Sequence, residues 1–200
     1  MNEQIENLNR EATRCNRCFA GGTLTRPFVD IAQPRPIGPG YWEAKPRVVV
    51  VMLNPGAGGE NEYDREALGL IRAFRDGAAL APVTEQMRRV MPLWADGRYV
   101  DFIKDLGLEL DSIATLNVAW CASEGNKYPK IMLNTCWQLH TAKMLNLLAP
   151  DVIVLSGSAA HQFAPRVSVK TVCTIHYAYR GSDAARAQAI EVARREIAAV

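Results

Sequence analysis

The chain has no stretch approaching the roughly 20 apolar residues that a membrane-spanning helix needs, which excludes a helical membrane protein as a reading. Its first residues, MNEQIENLNREATRC, carry acidic and amide side chains where a secretory signal would need an apolar run, so a cytoplasmic protein is expected. A strong charge of one sign is missing too. The formal net charge of +2 is too small to demand a polyanionic partner, although it does not oppose one. Internal repeats and low-complexity segments are absent. Gly56, Gly58 and Gly59 invite comparison with a nucleotide loop, but a dinucleotide fingerprint starting at Gly56 requires glycine where Asn61 stands. No Gly-Lys-Ser/Thr is present either, so both familiar nucleotide loops fail and a turn after a buried strand remains.

What is present is a chain of 200 residues with 48% hydrophobic and 22% charged residues, enough to bury a substantial core. One domain spanning 1–200 and a monomer are expected. Met1–Arg14 reads as a short helix and Gly21–Lys45, rich in Gly and Pro, as irregular. Arg47–Leu53 (RVVVVML) is a continuous β-branched run suited to a central strand covered on both faces, and Asn54-Pro55-Gly56 ends it in a sharp turn. Helices are expected over Asp64–Asp76 and, after a proline-broken stretch, Tyr99–Leu106. Strands follow at Ser112–Ala119, Asp151–Leu155 and Ser168–Ile175, with helices at Lys130–Leu148, Gly157–Phe163 and Asp183–Ala199. The alternation predicts an α/β fold, a three-layer α/β/α sandwich around a central, mainly parallel four-stranded sheet.

Four cysteines form a split pattern: Cys15 and Cys18 as C-x-x-C near the N-terminus, then Cys121 and Cys136 in the middle of the chain. In a reducing compartment a disulfide framework is disfavoured, which moves the pattern toward metal binding. Four thiolates suit zinc or a [4Fe–4S] cluster, and spacing alone does not choose between them. Either centre would pin the N-terminal arm to the body. Cys173, in an apolar stretch, is expected to be a core thiol.

In a parallel α/β sheet ligands bind beyond the carboxyl ends of the strands. Asn54 after the first strand, Asn117 at the end of the second and His176 after the fourth are therefore the first functional candidates. His140 and His161 have no motif around them and receive no role.

Taken together, VVVVMLNPG, TLNVAWC, GNKYPK followed by Cys136, APDVIVLSGSAA and TIHYAYR resemble, in order and spacing, the motifs of the uracil-DNA glycosylase superfamily. The similarity is greatest to its iron–sulfur branch. It implies that Cys15, Cys18, Cys121 and Cys136 hold a structural [4Fe–4S] cluster, with zinc as the alternative. It also implies an enzyme of DNA repair that flips a deaminated base, most often uracil, out of DNA and hydrolyses its N-glycosidic bond. In that scheme Asn54 and His176 are catalytic, Asn117 reads the base, and Tyr179 and Arg180 contact DNA, with Arg186 a further candidate for phosphate. Two departures stand out. The first motif reads Leu-Asn-Pro-Gly, resembling the Asn-Pro-Gly of mismatch-specific uracil/thymine glycosylases, so Asn54 would hold a water instead of acting as a general base. Where relatives carry a phenylalanine that stacks on the base, GENEYDREA offers only Tyr63, and where they carry His-Pro this chain has His176-Tyr177. A noncatalytic nucleic-acid-binding member of the superfamily and a nucleoside or small-ligand hydrolase are the rival expectations.

Overall fold

The computed structural model describes residues 3–22, 24–94 and 96–200, so the expected helix start at Met1 lies outside the described residues. The fold is α/β, with a four-stranded all-parallel central sheet flanked by helices, in keeping with the three-layer α/β/α sandwich expected from the sequence. The strands are β1 (Val48–Met52), β2 (Ile113–Asn117), β3 (Val152–Ser156) and β4 (Lys170–Thr174), in the order β2-β1-β3-β4. In register, Val48 faces Val152 and Val152 faces Lys170. The helices are α1 (Glu3–Arg14), α2 (Glu62–Arg75), α3 (Ala81–Val90), α4 (Arg98–Asp105), α5 (Lys130–Cys136), α6 (Ala142–Leu148), α7 (Ser158–His161) and α8 (Asp183–Ala198). Among the described residues no helix is long and apolar enough to cross a membrane.

Backbone contacts divide the chain into two compact units, each made of three segments. One comprises Pro36–Leu53, Arg88–Leu116 and Ala149–Val200, and holds the sheet up to Leu116. Every residue of β1 and β3 is buried, which explains why these segments read as unbroken apolar runs instead of alternating ones. Val48, Val50 and Met52 share a core with Val152, Val154 and Val172. That row packs against Phe102 and Ile103 of α4 and against Ile190, Ala193 and Ile197 of α8, whose spacing lies along one helix stripe. At the sheet edge β4 is buried only at alternate positions. Cys173 falls on its open face and is exposed, which corrects the expectation of a core thiol. An apolar neighbourhood in sequence does not tell an edge strand from a central one; the period-2 alternation of Val172 and Thr174 does.

The other unit comprises Met1–Arg35, Asn54–Met87 and Asn117–Leu148. Its α2 presents Ala67, Leu68, Ile71 and Phe74 to Val29, Ile31, Leu80, Val83 and Met87. α1 is fastened across the end of α2 by two arginines. Arg10 stacks 4.3 Å from the centre of the Phe74 ring and donates to the Phe74 carbonyl, while Arg14 donates to the Arg75 carbonyl at 2.8 Å. These carbonyls belong to the last turn of α2, where the helical N–H groups run out; the Phe74 carbonyl also accepts the Gly77 N–H at 3.2 Å. The proline-broken stretch before Tyr99 contains α3, because Pro82 falls in its first turn, where a missing N–H costs nothing. The expected long helix over Lys130–Leu148 also forms, but its middle, Trp137–Thr141, is a π-helical turn between α5 and α6.

Phe102 is fully buried at the centre of the sheet-side core. Phe102→Ala is expected to lower the unfolding free energy by about 3–5 kcal/mol, read from the midpoint of a denaturant titration; a loss under about 1 kcal/mol would contradict that packing.

Candidate functional site

Three separate stretches of one unit bring Cys15, Cys18, Cys121 and Cys136 to the lining of a single cavity. Cys15 and Cys18 follow α1, Cys121 lies just beyond β2, and Cys136 closes α5. Among the described residues no three His, Cys, Asp or Glu side chains are gathered as around one ion; the four thiols surround a shared space instead. Burial pushes the Cys121 thiol up to about 12 and raises Cys136 as well, with the other cysteines adding to the rise. Burial and the neighbouring Cys15 also raise Cys18.

Two groups work against these shifts. Arg26 hydrogen-bonds Cys121 and its charge lowers both Cys18 and Cys121, while its guanidinium rests 4.2 Å from the Phe19 ring centre. The Trp120 backbone N–H donates to the Cys136 sulfur at 3.1 Å. A cation and an N–H aimed at buried sulfur favour its thiolate form, which is the form a metal binds. The donor set is therefore chemically suited to a thiophilic centre.

The stretch between Arg26 and Gln33 ties the cavity to the loop after β1. The Gln33 backbone N–H donates to the Trp120 carbonyl at 2.8 Å, and its side-chain amide to the Gly56 carbonyl at 3.0 Å. Val29 donates its N–H to the Ala57 carbonyl, and the Gly59 N–H is spent on the Asp64 carboxylate at 2.8 Å. The glycine loop thus folds back on its own protein. At Gly58 φ is +70°, and a Cβ there would lie 2.4 Å from a Val29 methyl.

In this loop Asn54 is half-buried and donates its amide N–H to the Pro55 carbonyl at 2.6 Å. The Tyr128 hydroxyl is within hydrogen-bonding reach of the Asn54 side chain. Asn117 is 1% exposed, and its backbone carbonyl accepts from the Thr141 hydroxyl at 2.8 Å. Thr141 in turn accepts the Trp120 indole N–H at 3.0 Å, so the end of β2 is latched to the π-helical turn. Tyr63 projects from the first turn of α2 and is half-exposed.

His176, Tyr179 and Arg180 belong to the sheet-bearing unit. The His176 ring is half-buried and lies 4.2 Å from that of Tyr177. Its Nδ1 accepts the Ala178 backbone N–H at 3.1 Å. An accepting Nδ1 carries no proton, so the neutral ring holds its proton on Nε2. Burial lowers the pKa of His176 below the ordinary 6.5 and keeps the ring neutral near pH 7. Tyr177 packs edge-on against Tyr99 at 5.4 Å and anchors the loop in the core. Tyr179 and Arg180 stay exposed, in a turn closed by the Tyr179 N–H on the His176 carbonyl at 2.9 Å. The Tyr179 ring folds over Gly181, where a Cβ would meet its hydroxyl at 2.0 Å. Arg186 is paired with Asp105 at 2.9 Å.

Sequence reasoning missed Gln33, Arg26 and His140. Gln33 and Arg26 sit in a Pro-rich stretch with no periodicity to read. His140 lines the cysteine cavity, and burial, helped by Lys143, takes its pKa down to about 4. In the sequence Cys136-x-x-x-His140 is only an i, i+4 spacing, and the π-helical turn that follows Cys136 changes which side chains that spacing brings to one face.

Gly58→Ala is expected to destabilise by roughly 1–3 kcal/mol, from left-handed backbone strain and the clash with Val29. Gly56→Ala, where a Cβ meets nothing closer than 4.0 Å, is expected to stay within about 0.5 kcal/mol. Thermal melts of the two variants make the comparison, and equal losses would contradict it.

No protein-family model matches this chain, and no curated protein matches it.

Proposed function

We propose that this chain is a DNA glycosylase that hydrolyses the N-glycosidic bond of a deaminated base flipped out of DNA, with uracil the leading substrate. The observation that supports this most is the tautomer of His176. Cleavage leaves negative charge on the departing pyrimidine, and a neutral imidazole with its proton fixed on Nε2 is a preorganised donor to that charge. The Ala178 N–H on Nδ1 fixes the tautomer before substrate arrives.

Asn54 suits the water-holding role. One amide N–H is bonded to the Pro55 carbonyl, and the amide Oδ1 is the acceptor that would hold a water. In the proposed reaction that water adds to the sugar C1′ as the C1′–N bond breaks, its spare proton passes to solvent, and the base leaves as an anion stabilised by His176. Asn117 would read the base, accepting from N3–H and donating to O4 of uracil, a pattern that cytosine reverses. Tyr63 is the aromatic available for stacking on the base. Exposed Tyr179 and Arg180 would contact DNA. Cys15, Cys18, Cys121 and Cys136 would hold a [4Fe–4S] cluster, or zinc, whose contribution is to fasten the segment after α1 to the start of the long helix.

Single-turnover excision from uracil-containing oligonucleotides tests the roles. His176→Ala is expected to lower the rate by about 10²–10³-fold, as loss of one preorganised oxyanion donor does. Asn54→Ala is expected to reduce it and Asn54→Asp to raise it, while Asn117→Asp shifts activity from uracil toward cytosine. Because burial disfavours the His176 cation, the acid limb of the rate is expected below pH 6.5, with the neutral donor populated above it. Full activity in both alanine variants would sink the mechanism.

A second measurement concerns the centre and the partner. Anaerobic purification is expected to give a brown protein with iron–sulfur absorption; stoichiometric zinc, or four free thiols without metal, overturns the cluster. Binding to duplex DNA is expected to weaken with salt, with a log–log slope near −0.9 per phosphate contact. Affinity unchanged by salt would favour a small-ligand hydrolase instead.

A further inference from the structure

His140 is 6% exposed, and among the described residues neither of its ring nitrogens has a hydrogen-bond partner. Its ring contact is with Trp120, at 5.6 Å between centroids and tilted by 43°. A buried donor or acceptor left without a partner costs about 1–3 kcal/mol, and an imidazole carries two such atoms. Leu139 beside it lines the same cavity at no such cost. A histidine at this place therefore calls for a partner that the described residues do not provide.

The surroundings define that partner's chemistry. The cavity that His140 lines is also lined by Cys15, Cys18, Cys121 and Cys136. The ring stands on the π-helical turn that directly follows Cys136, and local π-helical insertions of this kind recur at functional sites because they re-aim side chains without ending the helix. Four thiolates already fill the four ligand positions of a [4Fe–4S] cluster, so a fifth side chain has a hydrogen bond to offer and no ligand position to take.

We propose that His140 is a positioning residue of the four-cysteine centre, its neutral imidazole donating an N–H to a sulfur of the bound cluster. This rests on the cluster reading given above and deepens it. The Trp120 N–H on Cys136 and the Arg26 guanidinium on Cys121 are sulfur-directed donors already in place; His140 adds another, from the π-helical turn. Outer partners of this kind fix ligand orientation, and their loss costs about 10–100-fold in metal affinity.

Resonance Raman spectra of the iron-loaded protein in H2O and D2O, for wild type, His140→Gln and His140→Leu, test the bond directly. The iron–sulfur stretching bands are expected to shift on deuteration in wild type, to keep that shift in His140→Gln, which retains an N–H donor, and to lose part of it in His140→Leu. A chelator titration is expected to strip iron from His140→Leu at about 10–100-fold lower chelator concentration than from wild type, with His140→Gln between them. A deuteration shift and chelator resistance unchanged in His140→Leu would overturn the proposal while leaving the cluster intact. Absence of iron–sulfur bands from wild type would overturn it together with the reading beneath it. Should His140→Leu fail to fold, nitrogen-15 labelling of histidine in wild type decides: a paramagnetically shifted, slowly exchanging imidazole N–H is expected. An imidazole N–H without that shift, or nitrogen coordinated directly to iron, overturns the donor role.

Discussion

The gathering of four thiols around one cavity, Cys136 buried and Cys15, Cys18 and Cys121 partly so, is the constraint on which the helical unit depends. Sulfur in that position is costly to ionise, as the rise of Cys121 to about 12 records. Arg26, the Trp120 N–H and His140 are the polar groups the chain arranges around it. Each comes from a different stretch, and each is also tied into something else: Arg26 to Phe19, Trp120 to Gln33 and Thr141, His140 to the π-helical turn. A centre bound there would exchange protons for metal as the thiols ionise, so its affinity would rise with pH.

The loops beyond the strands are governed by backbone hydrogen bonding more than by side-chain packing. After β1 the Gly59 N–H is given to Asp64, and the Gly56 and Ala57 carbonyls accept from Gln33 and Val29, which holds the loop against its own unit. After β4 the turn from His176 to Tyr179 consumes Nδ1 of the histidine, and that single bond decides which nitrogen can act as a donor. A side chain's chemistry is here chosen by the conformation of the two residues that follow it.

The fold was legible where burial is two-sided. β1 and β3 are apolar throughout because both faces are covered, and composition alone marks them. It was less legible at the edge, where Cys173 sits among apolar neighbours yet points outward. α3 was hidden by Pro82, a residue that breaks helix interiors but starts helices. In the site, the cysteines announced themselves by spacing, and strand ends drew attention to Asn54, Asn117 and His176. His140 did not, because its meaning depends on a helix that changes pitch between Cys136 and Ala142, and Gln33 did not, because its two bonds join loops far apart in sequence.

That change of pitch has a bearing on how the chain tolerates insertion and deletion. A π-helical turn holds one residue more than the α-helical turn it replaces, so removing a residue between Trp137 and Thr141 would leave a regular, continuous helix. Such a helix would be better hydrogen-bonded within itself, and α5 and α6 would keep nearly their present phase, because the π-helical turn and the shorter α-helical turn sweep nearly the same angle. What the deletion would remove is a side-chain position within the turn, where His140 lines the cysteine cavity and Thr141 holds the Asn117 carbonyl and the Trp120 indole. The extra residue lets a single turn present an imidazole to the cavity and a hydroxyl to the strand end without disturbing the helix on either side.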